Sequence, residues 1–413
     1  MAVTISEGAA DAIIRSPTSL MEGVPVFFFL KHSKPIGAAA VLLALAASAF
    51  ATASTGFVDP LQLMARQSVK AAARLMLDVA TLSDGRLVAV GEQGTIILSD
   101  DRGRSWRQAA VPVSVNLTAT FFVDAASGWA AGHDGVILGT KDGGLNWVRL
   151  FDGNAVNEQI VAAAERRVRQ ARERSQAAAA TQAAQDELDR AEDALADAEA
   201  GARFGPSRPL FGIWFKDAKQ GFVAGAFGQL FHTEDGGASW RYIGDRLDNP
   251  EALHYNAIVP TPSGKIAIVG EGGRIHLSAD GGQTWQRHET GYDGQLYGML
   301  ALRDADGREV FLAYGFGGRI LLSRDGGLRW SQVDAGVKAN IVDGFVAADG
   351  SVRLLTAGGQ VFRGGSDGKP FVPAGSDGGA GVQKRIAAAI PLPDGSLVLA
   401  GMGGIHLVST NGK

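Results

Sequence analysis

The sequence predicts an all-β protein, a seven-bladed β-propeller with an inserted α-helical hairpin and an N-terminal signal or anchor helix. Three observations carry this: an octet that recurs along the chain, a glycine turn that keeps step with it, and one alanine-rich interval that interrupts the spacing. The octet reads Ser/Thr, any, Asp, any, Gly, any, polar, Trp. Five copies are nearly complete, running Ser99 to Trp106, Thr140 to Trp147, Thr233 to Trp240, Ser278 to Trp285 and Ser323 to Trp330. A sixth, Gly364 to Phe371, has Ser366 where the Asp belongs, and a seventh is represented by Ser409, Asn411 and Gly412. Self-similarity at a fixed period marks a fold in which each repeat is one supersecondary unit.

Each octet follows two strand-like runs joined by a glycine turn. The second glycine of that turn falls at Gly94, Gly135, Gly228, Gly273, Gly318, Gly359 and Gly404, at intervals of 41, 93, 45, 45, 41 and 45 residues. All but the second interval match the length of a four-stranded blade. Runs such as GFVAG and QLFHT are apolar, β-branched or aromatic and are bounded by Gly and Asp turns. The first strand of each unit aligns as Leu77-Asp78-Val79, Leu117-Thr118-Ala119, Phe211-Gly212-Ile213, Tyr255-Asn256-Ala257, Tyr297-Gly298-Met299, Val342-Asp343-Gly344 and Ile386-Ala387-Ala388, with a small or polar middle residue. Innermost strands of a propeller converge on a crowded, wet channel, so Asp78, Thr118, Asn256 and Asp343 are expected on its wall.

The long interval contains Asn157 to Arg203, which is rich in Ala, Glu, Arg and Gln and has no Gly or Pro until Gly201. That composition is helical. A single rod of about forty-five residues would reach about 65 Å and carry the chain away from the next blade, so a hairpin over residues 155–204 is expected. Its first half carries Arg166, Arg167, Arg169, Arg172 and Arg174. The second carries Asp186, Glu187, Asp189, Glu192, Asp193, Asp197 and Glu199, which antiparallel packing would set opposite the arginines. Val161, Val168, Leu188 and Leu195 would lie in an otherwise alanine seam. The insertion reads either as a solvated excursion or as an arm that docks a partner.

At the N-terminus, Lys31 and Lys34 precede an apolar run from Ile36 to Phe50 and small residues at Ala49, Ala51 and Ala53. This is signal-peptide grammar, with an uncleaved anchor as the other reading because Val24 to Leu30 is also apolar. Residues 1–55 are thus expected to be a signal peptide or membrane anchor and residues 56–413 the propeller, exported to the periplasm or held at the outer face of the inner membrane. The 413 residues include 56 glycines, about double the usual share, and no cysteine. A net charge of −4 and a pI near 6.0 do not fit a nucleic-acid partner. The absent cysteines exclude disulfides, thiol nucleophiles and Cys-type zinc sites. No cofactor or metal is implied; His133 and His254 have no second ligand at metal spacing.

Ring closure needs a strand from elsewhere if the last repeat stops before its fourth, and residues 57–67 are expected to supply it. Within the octets, the Ser/Thr and Asp side chains suit their own turn, and each turn offers a single carboxylate, too few for a typical calcium loop. Asp101, Asp142, Asp235, Asp280 and Asp325, with Trp106, Trp147, Trp240, Trp285 and Trp330, therefore read as structural.

The octet resembles the bacterial neuraminidase (BNR) or Asp-box repeat. That resemblance brings in sialidases, but the arginine triad, the Tyr–Glu nucleophile pair and the Arg-Ile-Pro motif of that family have no counterpart around Tyr242, Tyr255, Tyr292, Tyr297 or Tyr314. A glycoside hydrolase or carbohydrate-binding propeller stands as an alternative. The units VGEQGTIILSDDRGRSW, GWAAGHDGVILGTKDGGLNW and GFVAGAFGQLFHTEDGGASW resemble the photosystem II stability/assembly factor family, seven-bladed propellers outside the membrane. The resemblance covers about residues 73–413 apart from the insertion. It implies a non-enzymatic role in holding a membrane protein during assembly. The helical insertion and alanine-rich leader depart from the photosynthetic members. Similar proteins in non-photosynthetic bacteria look like accessories of resistance-nodulation-division (RND) transporters, which is the setting the resemblance implies, and the alternative is a photosystem II assembly factor proper. Arg274 and Arg319 follow the turn glycine in neighbouring repeats, and with Arg241 and Arg246 they read either as an acid-binding patch or as solvated charges.

Overall fold

The computed structural model describes residues 58–177, 181–334, 336–374 and 385–408. The expected leader at residues 1–55 and the seventh octet at Ser409 lie outside the described residues. Seven antiparallel meanders follow one another. Blade 1 is β1 (Met76–Thr81), β2 (Leu87–Gly91), β3 (Ile96–Ser99) and β4 (Arg107–Gln108). Blade 2 is β5 (Leu117–Phe122), β6 (Gly128–Gly132), β7 (Ile137–Thr140) and β8 (Val148–Phe151). Two helices follow, α1 (Gly153–Ala177) and α2 (Gln182–Arg203). Blade 3 is β9 (Leu210–Phe215), β10 (Gly221–Gly225), β11 (Leu230–Thr233) and β12 (Arg241–Tyr242). Blade 4 is β13 (Tyr255–Pro260), β14 (Ile266–Gly270), β15 (Arg274–Ser278) and β16 (Gln286–Glu289). Blade 5 is β17 (Leu296–Arg303), β18 (Glu309–Gly315), β19 (Ile320–Ser323) and β20 (Ser331–Gln332). Blade 6 is β21 (Ile341–Val346), β22 (Val352–Thr356), β23 (Val361–Gly364) and β24 (Val372–Pro373). Blade 7 shows β25 (Ile386–Pro391), β26 (Leu397–Gly401) and β27 (Gly404–Val408) among the described residues.

The second strands explain why these segments need neighbours. LVAVG, GWAAG, GFVAG and IAIVG are buried at every position, because blades cover both faces of each sheet and solvent reaches neither. Such strands read as continuous apolar runs instead of alternating ones. Each innermost strand lies beside that of the next blade, and β25 lies beside β1, so the ring is closed. The closing joint has its own core, in which Met76, Leu87 and Ile97 of blade 1 meet Ala388, Val398 and Ala400 of blade 7.

All seven turn glycines between second and third strands have positive φ, from +62° at Gly273 to +96° at Gly404. Only glycine takes that conformation without strain. At Gly273 a Cβ would also overlap the carbonyl of Tyr292 in the connection to blade 5. The degraded octet of blade 6 keeps the shape without the aspartate: Gly368 has φ +78°, and Phe371 is buried at the tryptophan position, in space left by Gly364.

Two expectations are corrected. Residues 58–67 form no strand and do not pair with blade 7. They lie over the connection from blade 1 to blade 2, where the Ser114 N–H donates to Pro60 O (2.8 Å) and the Ala65 N–H to Val111 O (3.0 Å). Leu61 is buried there with Val111, Val113 and Val115, so the segment's apolar residues find a lid position instead of a sheet edge. The alignment of inner strands also slips. Each of the seven inner strands carries a β-bulge near its start. The pairing makes Asp78 and Asp343 equivalent to Ala119, Ala257, Gly298 and Ala388. Thr118 and Asn256 instead share the bulged level with Leu77, Tyr297 and Val342. A bulge adds one unpaired residue, which a gapless comparison of triplets misses.

The insertion is an antiparallel hairpin, as its charge pattern predicts. Arg172 pairs with Glu192 (2.8 Å) and Arg174 with Glu187 (3.1 Å). Val168, Ala171, Leu188 and Ala191 form the seam, with Leu195 against it; Val161 is not part of that cluster. The root is clasped to blade 3, where the Gln159 amide donates to Trp240 O and accepts the Tyr242 N–H, both at 2.8 Å.

Candidate protein-binding surface

The octets are self-contained. In blade 3 the Thr233 hydroxyl donates to Asp235 Oδ1 (2.8 Å) and accepts the Gly237 N–H (2.9 Å). Asp235 then accepts the Ser239 N–H (2.9 Å) and hydroxyl (2.6 Å). Blades 1, 2, 4 and 5 repeat the arrangement around Asp101, Asp142, Asp280 and Asp325. Hydrogen bonds from the side chains of Ser105, Ser239 and Thr284 are the largest cause holding the carboxyls of Asp101, Asp235 and Asp280 down at about 2. The indoles of Trp106, Trp147, Trp285 and Trp330 each donate to the carbonyl of their octet's glycine, at 2.9–3.2 Å. Trp240 departs from this: its Nε1 is buried without a partner, while Trp129 Nε1 donates to Gly236 O at 2.9 Å.

The channel residues fasten blade to blade. Asp78 accepts the Thr120 N–H of blade 2 and its neighbour Val79 N–H, both at 2.8 Å. Thr118 donates to Leu210 O of blade 3 (2.5 Å) and Asn256 to Leu296 O of blade 5 (2.7 Å). Asp343 accepts the Ala389 N–H of blade 7 and the Gly344 N–H, both at 2.7 Å. Asp78, Thr118 and Asp343 line a cavity of about 230 Å³ with Tyr297 and Tyr314, whereas Asn256 is not among its lining residues. Burial pushes Asp78 up to about 7 and Asp343 up to about 6, against the pull of their backbone N–H donors. Asp343 in turn adds to the upward shift at Asp78 and, behind burial, at Tyr314. With both oxygens of each carboxylate bonded to backbone, this acid pair serves the ring.

The four arginines separate. Arg241 and Arg246 line a cleft of about 350 Å³ between blades 3 and 4, together with Lys216, His232 and Glu234. Burial lowers the His232 imidazole, Glu234 opposes, and Arg241 and Arg246 lower it further. Among the described residues Lys216, Arg241 and Arg246 form no ion pair. Arg274 is outside this cleft and is held by a two-pronged bond to Glu251, one arm of which is 2.8 Å. Arg319 donates to Gln332 and lies over the Tyr292 ring at 4.7 Å. Lys216 was missed by sequence reasoning; its one signal is its place directly after the first strand of blade 3. His254 was given no role, yet its Nδ1 accepts the Phe227 N–H at 3.1 Å. Asn116 and Asn340 do the same for Gln93 and Gly317, each at 3.0 Å. No metal-binding group of three or more His, Asp or Glu occurs among the described residues.

The family model described as photosynthesis system II assembly factor YCF48 matches residues 56–156 and 206–290, on both sides of the helical insertion. The photosystem II assembly lipoprotein Ycf48 of Synechococcus sp. (strain CC9902) is 35% identical over 94 residues, which is 22% of this chain and 27% of that protein. Among solved structures, YCF48 bound to D1 peptide superposes with a TM-score of 0.55 at 17% identity, over 82% of this chain and 93% of the other. YCF48 from Cyanidioschyzon merolae gives 0.57 at 14% identity, over 84% and 97%. At these identities the superpositions show the fold alone. Octets, blade count and the family-model match on both sides of the insertion make the chain similar to the Ycf48 family of BNR-repeat propellers.

Proposed function

We propose that this chain is a non-catalytic, exported propeller that binds a membrane protein and assists the assembly or operation of its complex, in the setting of an RND-type transporter. The observation that carries the reading is the pairing of a Ycf48-like family match with octet and channel carboxylates that are all committed to the fold. The cleft edged by Lys216, Arg241 and Arg246 offers unpaired cations to an acidic segment of that partner, whereas Arg274 is already paired with Glu251 and Arg319 lies outside the cleft. The helical insertion supports a setting other than the photosystem, because the family match resumes only beyond it. A photosystem II assembly role is the second reading, favoured by the solved relative bound to D1 peptide.

The test is co-purification of the tagged full chain from detergent-solubilised membranes, beside a variant carrying Arg241→Glu and Arg246→Glu. Enrichment of transporter subunits, reduced at least tenfold in the variant, is the expected result. Enrichment of photosystem subunits selects the second reading, and recovery of no membrane protein rejects both.

A further inference from the structure

Residues 204–208 leave α2 and return to blade 3, and they bring in a cation that the fold does not pair. Arg208 is half-buried, yet its guanidinium makes no hydrogen bond and no ion pair with any described residue. One of its faces abuts the end of α2, where a Cβ at Gly201 would come within 2.5 Å of Arg208 Nη2. The other lies over the Phe227 ring, 5.5 Å from its centre. A half-buried charge compensated only by an aromatic face is under-satisfied, and burial lowers this guanidinium's pKa, with Tyr242 and Asp197 opposing only through space.

Phe227 is as unusual as its neighbour. It occupies the middle of the blade 3 turn with φ +56° and is 53% exposed. The same position holds Gln93, Asp134, Gly272 and Gly317 in other blades, residues that suit a left-handed, solvated site better than a phenyl ring. The His254 bond to its N–H and an edge-on contact between the two rings, 4.9 Å apart, hold it there. Strain of this kind persists only where the surroundings enforce it.

We propose that Arg208 and Phe227 form a receptor for a carboxylate flanked by an apolar side chain, carried on an extended peptide of the partner protein. This deepens the binding role proposed above and rests on it. The planar fork of five donors matches a carboxylate in bidentate fashion, and the ring beside it gives an adjacent apolar side chain a surface. An inorganic anion would gain nothing from the ring. The site stands at the foot of the helical arm, so a segment lying along α2 reaches it.

The test is fluorescence anisotropy with a labelled hexapeptide of alternating Leu and Glu, against the same peptide with Gln for Glu, on the full chain. Wild type is expected to favour the Glu peptide at least tenfold. Arg208→Gln should abolish the preference, Arg208→Lys should retain part of it, and Phe227→Ala should weaken both peptides. Unchanged preference in Arg208→Gln, equal or absent binding of the two peptides by wild type, or displacement by millimolar inorganic phosphate overturns the site. Thermal melts separate a receptor from a strut: a receptor variant loses the preference at an unchanged melting temperature, whereas lost stability with retained preference rejects the proposal. Membrane-protein capture that survives Arg208→Gln removes this site and leaves the broader reading standing, whereas capture by neither protein removes the broader reading.

Discussion

The octet hydroxyl is the residue on which each outer turn depends. Thr140 donates to Asp142 Oδ1 (2.8 Å) and accepts the buried Gly144 N–H (3.1 Å). Thr140→Val keeps the shape and strands both partners, so a loss of about 1–3 kcal/mol is expected in urea unfolding. The channel acids act in the opposite sense with pH. The folded pKa of Asp78, about 7, lies above its ordinary 3.8, so the folded chain binds more protons than the unfolded one between those values. The contribution of Asp78 is then fully present below about pH 4 and is lost as pH rises to 7, by on the order of 4 kcal/mol. Asp343 adds a smaller effect in the same direction, with its folded pKa of about 6. Asp78→Asn should flatten the decline in a series of melts from pH 5 to 8; an unaltered slope contradicts the assignment. The octet acids contribute in the other direction, since Asp101, Asp235 and Asp280 sit at about 2. Their contribution is present above pH 3.8 and lost toward pH 2.

At the scale of elements, whatever repeats was legible and whatever depends on three-dimensional register was not. The octets and turn glycines announced blades, and the opposed charges of Arg172, Arg174, Glu187 and Glu192 announced the hairpin, because each signal is local and periodic. The bulges left no such trace, which is why Thr118 and Asn256 were placed one level from where they sit. The clasp by Gln159 was equally silent, since its bonds reach 81 and 83 residues along the chain. Topology alone makes the segment ahead of blade 1 a strand donor, whereas the buried side chain of Leu61, packed with Val111, Val113 and Val115, fixes its seat over the connection to blade 2. Leu61, 2% exposed, should cost about 2–5 kcal/mol when changed to Ala. Hydrogen exchange should then rise first at Ser114 and Ala65, whose amides bond across this seam; faster exchange at β27 instead would restore the strand-donor reading.

The described residues from 58 onward form a closed ring of blades whose strands turn at two opposed rims. One rim carries the turns between second and third strands, including Phe227; the other carries the octets, including Leu328, which is 68% exposed. The arginines illustrate what a sequence conveys about such a surface. Arg274 and Arg319 are equivalent by repeat, and the fold gives each its own local partner; Arg241 and Arg246 are close in sequence and share a cleft with Lys216 that no spacing rule marks. The central claim is that this ring presents a rigid surface to a membrane protein. It is tested most directly by photo-crosslinking in intact cells, with benzoyl-phenylalanine in place of Phe227 on one rim and of Leu328 on the other. The account predicts a defined membrane-protein adduct from at least one of the two positions, that from Phe227 mapping to an acidic, apolar segment. No membrane-protein adduct from either position would contradict it.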